Sequence, residues 1–149
     1  MRLPRILPPY LFVLLVVISV STGLLVPVHR WTDRSVVLAG ILLVLAGLGL
    51  STAGSRKFAV VGTNILPFED PTVLVTTGLF SRTRNPMYLG FLLALFGTTV
   101  AVGSPVALLA PLVFFLAADR YYIPFEEGRM HAVFGPAYGD YARRVRRWI

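Results

Sequence analysis

Two short polar strings in this chain carry the residue types needed to hold a zwitterionic ligand. The first is Arg84-Asn85-Pro86-Met87-Tyr88-Leu89-Gly90 and the second is Glu126-Glu127. Pro86 suits the first turn of a helix, where its missing N–H costs nothing. The N–H groups that follow have no partner within the helix and can take an anion. Asn85 can cap that start through its side chain. Arg84 adds a planar fork for a carboxylate or phosphate, and Tyr88 falls in the first helical turn. A carboxylate at Glu126 or Glu127 would bind a cation or accept from a ribose or amine. Each string also has a plainer reading: a capped helix with a snorkelling Arg, and acids that complement a helix dipole. The functional reading gains weight only if the fold brings the two together.

Other chemistry is sparse. The chain has no cysteine, so it has no disulfide framework, thiolate metal site or cysteine nucleophile. His29 and His131 fall on opposite sides of the membrane in the topology below. No His-x-x-x-His or acid cluster supports a metal, and none is expected. A net charge of +7 would suggest nucleic acid in a soluble protein. Here the basic residues flank apolar segments and face anionic lipid, so the expected partners are membrane lipids rather than nucleic acid. Gly47, Gly49, Gly97 and Gly103 read as close helix packing or a turn. Asp119 and Arg120 read as a membrane-boundary pair.

The elements that must position these residues are membrane helices. Of the 149 residues, 56% are apolar and only 14% charged, too few charges for a soluble domain of this size. Four apolar segments stand out: Tyr10 to Val28, Ser35 to Gly54, Met87 to Val102 and Pro105 to Ala118. The first is entered through Pro8-Pro9 and exceeds a signal-peptide core, so it is expected to remain as a helix. The last two form a tight hairpin about Gly103-Ser104-Pro105, and a hairpin returns Arg84 and Glu126 to the same face of the membrane. The expected fold is therefore all-α and integral to the membrane, with about four transmembrane helices, a cytoplasmic loop over Ser55 to Thr83 and a C-terminal amphipathic helix. That last helix is read from Met130, Val133, Phe134, Tyr138, Tyr141 and Val145, with a break at Gly135-Pro136. Its Arg143, Arg144, Arg146 and Arg147 are expected on anionic headgroups. Of 14 Lys and Arg residues, only Arg30 and Arg34 lie between the first two helices. The other 12 fall on the opposite side, which puts both termini and the site in the cytoplasm. Trp31 and Trp148 fall at water boundaries. Leu74 to Gly78 reads as a short extended piece closed by a turn.

The string Leu74-Val75-Thr76-Thr77-Gly78-Leu79-Phe80, then Asn85-Pro86-Met87-Tyr88-Leu89-Gly90, resembles the cofactor motif of the isoprenylcysteine carboxyl methyltransferases and the related phospholipid methyltransferases. The tail Glu126-Glu127, Phe134-Gly135, Tyr138, Tyr141 and Val145 resembles their C-terminal pattern at the same spacing. The resemblance covers roughly Gly62 to Arg147. Composition and the apolar segments suggest one domain over 1–149, with two membrane helices in 1–54, and the resemblance implies a cofactor-binding core in 55–149, of the short kind found in bacterial and archaeal members. The expected location is then a multi-pass position in a bacterial inner membrane.

The resemblance further implies S-adenosylmethionine as methyl donor. By position its cofactor contacts carry over to Thr72, Val73, Leu74, Val75, Phe80, Asn85, Pro86, Met87, Tyr88 and Glu126. Arg120 and Tyr122 fall where the family meets its substrate, and Arg84 and Glu127 are the candidate catalytic pair. The family usually has His where Asn85 stands, often His at Thr72, and Arg at Tyr122. The acceptor would be a lipophilic small molecule or a lipid-modified substrate bearing a carboxylate, thiol, amine or headgroup. Methyl transfer is an in-line displacement, so the protein mainly supplies proximity and orientation. Two other readings remain open: an NADPH-dependent membrane reductase of the steroid-reductase type, and a non-enzymatic membrane scaffold.

Overall fold

The structure, a computed structural model, describes residues 6–26, 33–62 and 71–149. Trp31, Arg30 and His29 lie outside the described residues, as does the central part of the expected loop.

Every regular element among the described residues is helical. Helix α1 is Pro8–Leu25, opening with Pro at its first positions. Helix α2 is Arg34–Val61, with the Asp33 side chain accepting from Ser35 N at its start and Gly62 closing it in the left-handed conformation at φ 69°. A 3₁₀ turn, Gly78–Ser81, leads into α3, Pro86–Val102. Gly103, at φ 71°, ends α3 and turns the chain. A continuous helical run follows: a 3₁₀ turn Pro105–Leu108, α4 Leu109–Ala117, a π turn Ala118–Tyr122 and α5 Ile123–Phe134. Gly135, at φ 50°, breaks it from α6, Pro136–Arg144. The hairpin at Gly103 and the break at Gly135-Pro136 are as the sequence suggests.

Three runs are long and apolar enough to cross a membrane: Pro8–Leu25, Arg34–Val61 and Pro105–Phe134. Helix α3 has 17 residues, roughly 25 Å at 1.5 Å per residue, short of a hydrocarbon core of about 30 Å. The protein is an integral membrane protein. One expectation needs correction. Helix α2 does not stop at Gly54 but runs to Val61, and its Phe58 meets Phe80 with ring centroids 4.9 Å apart. The fourth apolar segment takes in the residues after Ala118 and continues unbroken to Phe134.

Lipid is as apolar as leucine, so close packing rather than apolar burial must hold these helices together. Helices α2 and α3 approach through glycines seven residues apart, Gly40 facing Gly97, Gly47 facing Gly90, and Gly54 lying against Pro86 and Met87. A Cβ at Gly47 would sit 2.5 Å from Ala94 N and Gly90 O, and one at Gly90 would sit 2.6 Å from Ser51 N. Gly49 meets nothing within 4 Å, so it is not the packing glycine the sequence suggests. Helix α1 docks by stacking Phe12 on Phe91 at 4.6 Å, over the fully buried Phe114 of α4. The π turn sets which residues of the last run face inward: Ala118, Tyr122 and Ile123 are buried, while Arg120 is exposed.

Candidate active site

The hairpin brings the start of α3 beside the start of α5. There a cavity of about 340 Å³ opens, at the small end of the usual range for ligand sites. Leu7, Pro8 and Pro9 close one side. Ser51, Thr52 and Ser55 come from α2, Met87, Tyr88 and Phe91 from α3, and Glu126 from α5. Tyr88 is 4% exposed and donates its hydroxyl to Glu126 Oε1 at 2.6 Å. No cation pairs with Glu126 among the described residues, so a carboxylate faces an apolar cavity with a phenol as its partner.

Glu127 is the acid that meets Arg84. Arg84 Nη2 lies 2.5 Å from Glu127 Oε1, so the hairpin brings Arg84 to the acidic pair and Glu127 is its partner. Successive residues of a helix point about 100° apart, so one acid turns to the cavity and the next to Arg84. Arg84 Nη1 also donates to Ala142 O at 2.9 Å and Val145 O at 2.7 Å. Arg147 closes the cluster. Its Nη2 lies 2.6 Å from Glu127 Oε2 and its Nη1 lies 3.1 Å from Asp119 Oδ1. Arg147 is therefore turned into the protein rather than laid on headgroups. Trp148 likewise donates Nε1 to Asp119 Oδ1 at 3.0 Å and sets its ring 5.2 Å from Phe115, half-buried against the last helical run.

Asn85 does not cap α3 with its side chain. Its Nδ2 donates to Arg147 O at 3.0 Å, and its own N–H is taken by Thr83 Oγ1 at 3.1 Å. The tail thus competes for the amide that would otherwise turn back to the helix. Tyr141 donates to Phe80 O at 2.7 Å, tying α6 to the 3₁₀ turn. Burial, with Tyr138 close by, pushes the Tyr141 phenol up to about 12.

Of the ten positions anticipated for the cofactor, Met87, Tyr88 and Glu126 line the cavity. Asn85, Pro86, Val75 and Phe80 are buried but do not line it. Leu74 is half-buried, and Thr72 and Val73 are exposed. The anticipated catalytic residues Arg84 and Glu127 do not line it. Nor do the anticipated substrate residues. Arg120 is exposed and lies 3.2 Å from Asp119. Tyr122 stacks on Tyr88 with centroids 6.3 Å apart and donates to Ile6 O at 2.8 Å. Sequence reasoning missed Ser51, Thr52 and Ser55. Their signal was three hydroxyls within five residues of an otherwise apolar helix, two of them at i, i+4 and so on one face. The Thr52 hydroxyl is spent on Leu48 O at 2.6 Å, and Ser51 and Ser55 line the cavity beside it. No group of three or more His, Cys, Asp or Glu suited to a metal occurs among the described residues.

A helical membrane bundle with an acid-bearing cavity at one end is a membrane protein with room for a small molecule or lipid group. Residues 35–137 match the phospholipid methyltransferase family, and the chain belongs to that family. It is 32% identical over 114 residues to a probable protein-S-isoprenylcysteine O-methyltransferase of Oryza sativa subsp. indica, covering 71% of this chain and 56% of that protein. Against protein-S-isoprenylcysteine O-methyltransferase A of Arabidopsis thaliana it is 31% identical, covering 78% of this chain and 58% of that one. The rat protein-S-isoprenylcysteine O-methyltransferase is 31% identical, with 72% and 38% covered. The chain thus spans little more than half the length of the first two relatives and less of the third. No solved structure matches it significantly.

Proposed function

We propose that this protein transfers a methyl group from S-adenosylmethionine to a lipophilic or membrane-anchored acceptor. The observation that carries the reading is the Tyr88–Glu126 pair, a carboxylate that no cation meets among the described residues, in a largely apolar cavity between α1, α2, α3 and α5. Such a site fits a donor that brings its own positive charge. When bound, S-adenosylmethionine supplies an electrophilic methyl on a sulfonium. Glu126 balances charge and accepts from the ligand's N–H or O–H groups. Tyr88 fixes the carboxylate's direction and offers its ring to a cation. Leu7, Pro8, Pro9 and Phe91 exclude water and give an apolar acceptor a wall to lie on. Arg84 and Glu127, spent on each other and on the tail, position the two walls rather than react. The Glu126 carboxylate is the base within reach for an acceptor that must lose a proton, and an anionic acceptor needs none.

The activity for which the relatives are named, O-methylation of a protein S-isoprenylcysteine, supports a lipid-modified acceptor. The basic residues Arg56, Lys57, Arg82, Arg143, Arg144 and Arg146 border this end in sequence and support a cytoplasmic site.

The test has two parts. Calorimetry on the full chain in detergent should show saturable S-adenosylmethionine binding that Glu126→Ala abolishes, and NADPH should not compete. Membranes with and without the protein, given donor carrying a labelled methyl, should then differ in labelled lipid or lipid-modified product. Saturable NADPH binding, or no donor binding at all, would refute the reading.

A further inference from the structure

One residue outside the cavity joins α5, the segment that leads into α3, and the π turn before α5. The Arg147 guanidinium grips both oxygens of Glu127, Nη2 to Oε2 at 2.6 Å and Nε to Oε1 at 3.2 Å. Its Nη1 reaches the π turn, at 3.1 Å from Asp119 Oδ1 and 3.3 Å from Asp119 O. Its backbone carbonyl accepts from Thr83 Oγ1 at 3.2 Å and from Asn85 Nδ2 at 3.0 Å. Next to it, Arg146 O accepts from Arg84 N at 3.0 Å. Thr83 to Asn85 lead directly into Met87 and Tyr88, one wall of the cavity. Glu127 follows Glu126, the other wall. The Arg147 side chain is 32% exposed, against 76% for Arg143 and 80% for Arg120. It is the arginine of the basic tail that is committed to the interior.

We propose that Arg147 is a positioning residue: it clamps the start of α5 against the start of α3 and so holds Glu126 at hydrogen-bonding distance from Tyr88. This rests on the donor-site reading of the cavity, but the clamp is a statement about geometry that can be measured without donor. A planar fork is required. Glu127 and Asp119 lie on different turns, and only a guanidinium presents donors to both while keeping two bonds to one carboxylate. Losing the clamp frees α5 to shift by a fraction of an ångström, and misplacements of that order are costly where a site must be preorganised. Asn85 belongs to the same device, since its amide holds the Arg147 carbonyl rather than the helix start.

The experiment is a double-mutant cycle on the full chain in detergent, with Arg147→Ala and Tyr88→Phe alone and together, and Arg143→Ala as control. It is read both by S-adenosylmethionine affinity and by unfolding midpoint. The expected result is that Arg147→Ala weakens donor binding about tenfold, Arg143→Ala leaves it unchanged, and Arg147→Ala adds little once the Tyr88 hydroxyl is gone. Arg147→Lys should recover little of the loss, because an ammonium cannot span the same oxygens. Should the Ala variant not fold, the Lys variant replaces it in the cycle. Additive losses in the cycle, or Arg147→Lys equal to wild type, overturn the proposal. If wild type binds no donor, the methyltransferase reading fails by itself. The cycle on midpoints then decides the clamp: coupled losses support it and additive ones overturn it.

Discussion

Tyr88 and Glu126 lie 38 residues apart in the chain, and the Tyr88 hydroxyl donates to Glu126 Oε1 at 2.6 Å. This bond closes the hairpin at its open end and sets the direction of the carboxylate in the cavity. A hydrogen bond to a charged group contributes about 1.5–3 kcal/mol, and about 1.4 kcal/mol is a factor of ten in affinity. Tyr88→Phe should therefore weaken S-adenosylmethionine binding about tenfold while leaving the helical content intact. Calorimetry beside circular dichroism reads both quantities. An affinity equal to wild type would show that the phenol does not orient Glu126.

Arg84 makes a different prediction, on stability rather than binding. Its Nη2 pairs with Glu127 at 2.5 Å and its Nη1 holds two tail carbonyls. Removing Arg84 leaves Glu127 to Arg147 alone and strips two tail carbonyls of their donor, a loss of about 1–3 kcal/mol. Arg84→Ala should lower the unfolding midpoint markedly. Arg84→Lys should do nearly the same, because a point charge cannot serve a carboxylate and two carbonyls together. A midpoint restored by Lys would mean that charge alone matters there.

The hairpin was legible because Gly103-Ser104-Pro105 interrupts a run without charge, and the two polar strings flank it. Which acid meets Arg84 was not legible. The phase of α5 depends on the π turn over Ala118–Tyr122, which adds a residue to one turn and carries no clear sequence mark. Arg147 could not be told from Arg143, Arg144 and Arg146 in a string of like residues. The chain separates it by leaving the helix at Val145, in extended conformation at φ −118°, so that the tail folds back on Thr83 to Asn85. Ser51 and Ser55 were hidden for another reason: a small hydroxyl in an apolar helix looks the same whether it packs or faces a cavity. Gly49 shows the converse, since it resembles Gly47 in sequence and touches nothing.

That contrast between neighbouring glycines is a direct test of the α2–α3 contact. A Cβ at Gly47 would meet backbone atoms at 2.5 Å on α3, which cannot yield without moving the helix. Gly47→Ala should therefore destabilise by about 1–3 kcal/mol, the usual cost of overpacking. Gly49→Ala meets open space and reduces the freedom of the unfolded chain, so it should be neutral or stabilise by up to about 1 kcal/mol. Unfolding midpoints of the two variants in one detergent make the comparison. Equal losses would mean that α2 is rotated from the phase described.

The tail docking should fail at high pH, and the sign follows from the two tyrosines of α6. Burial pushes the phenols of Tyr138 and Tyr141 up to about 12, from an ordinary value of 10.0. The folded protein therefore holds these protons more tightly than the unfolded chain does. Their contribution to stability is complete below about pH 10 and declines as pH rises towards 12. Ionised Tyr141 can no longer donate to Phe80 O, and its charge then faces that carbonyl. The unfolding midpoint, followed from neutral pH to about 12, should fall through this window in the wild type. Tyr141→Phe should start lower by the loss of one hydrogen bond, about 1 kcal/mol, and fall less steeply, with Tyr138→Phe flattening the curve further. Identical slopes in all three would place the alkaline transition elsewhere in the protein.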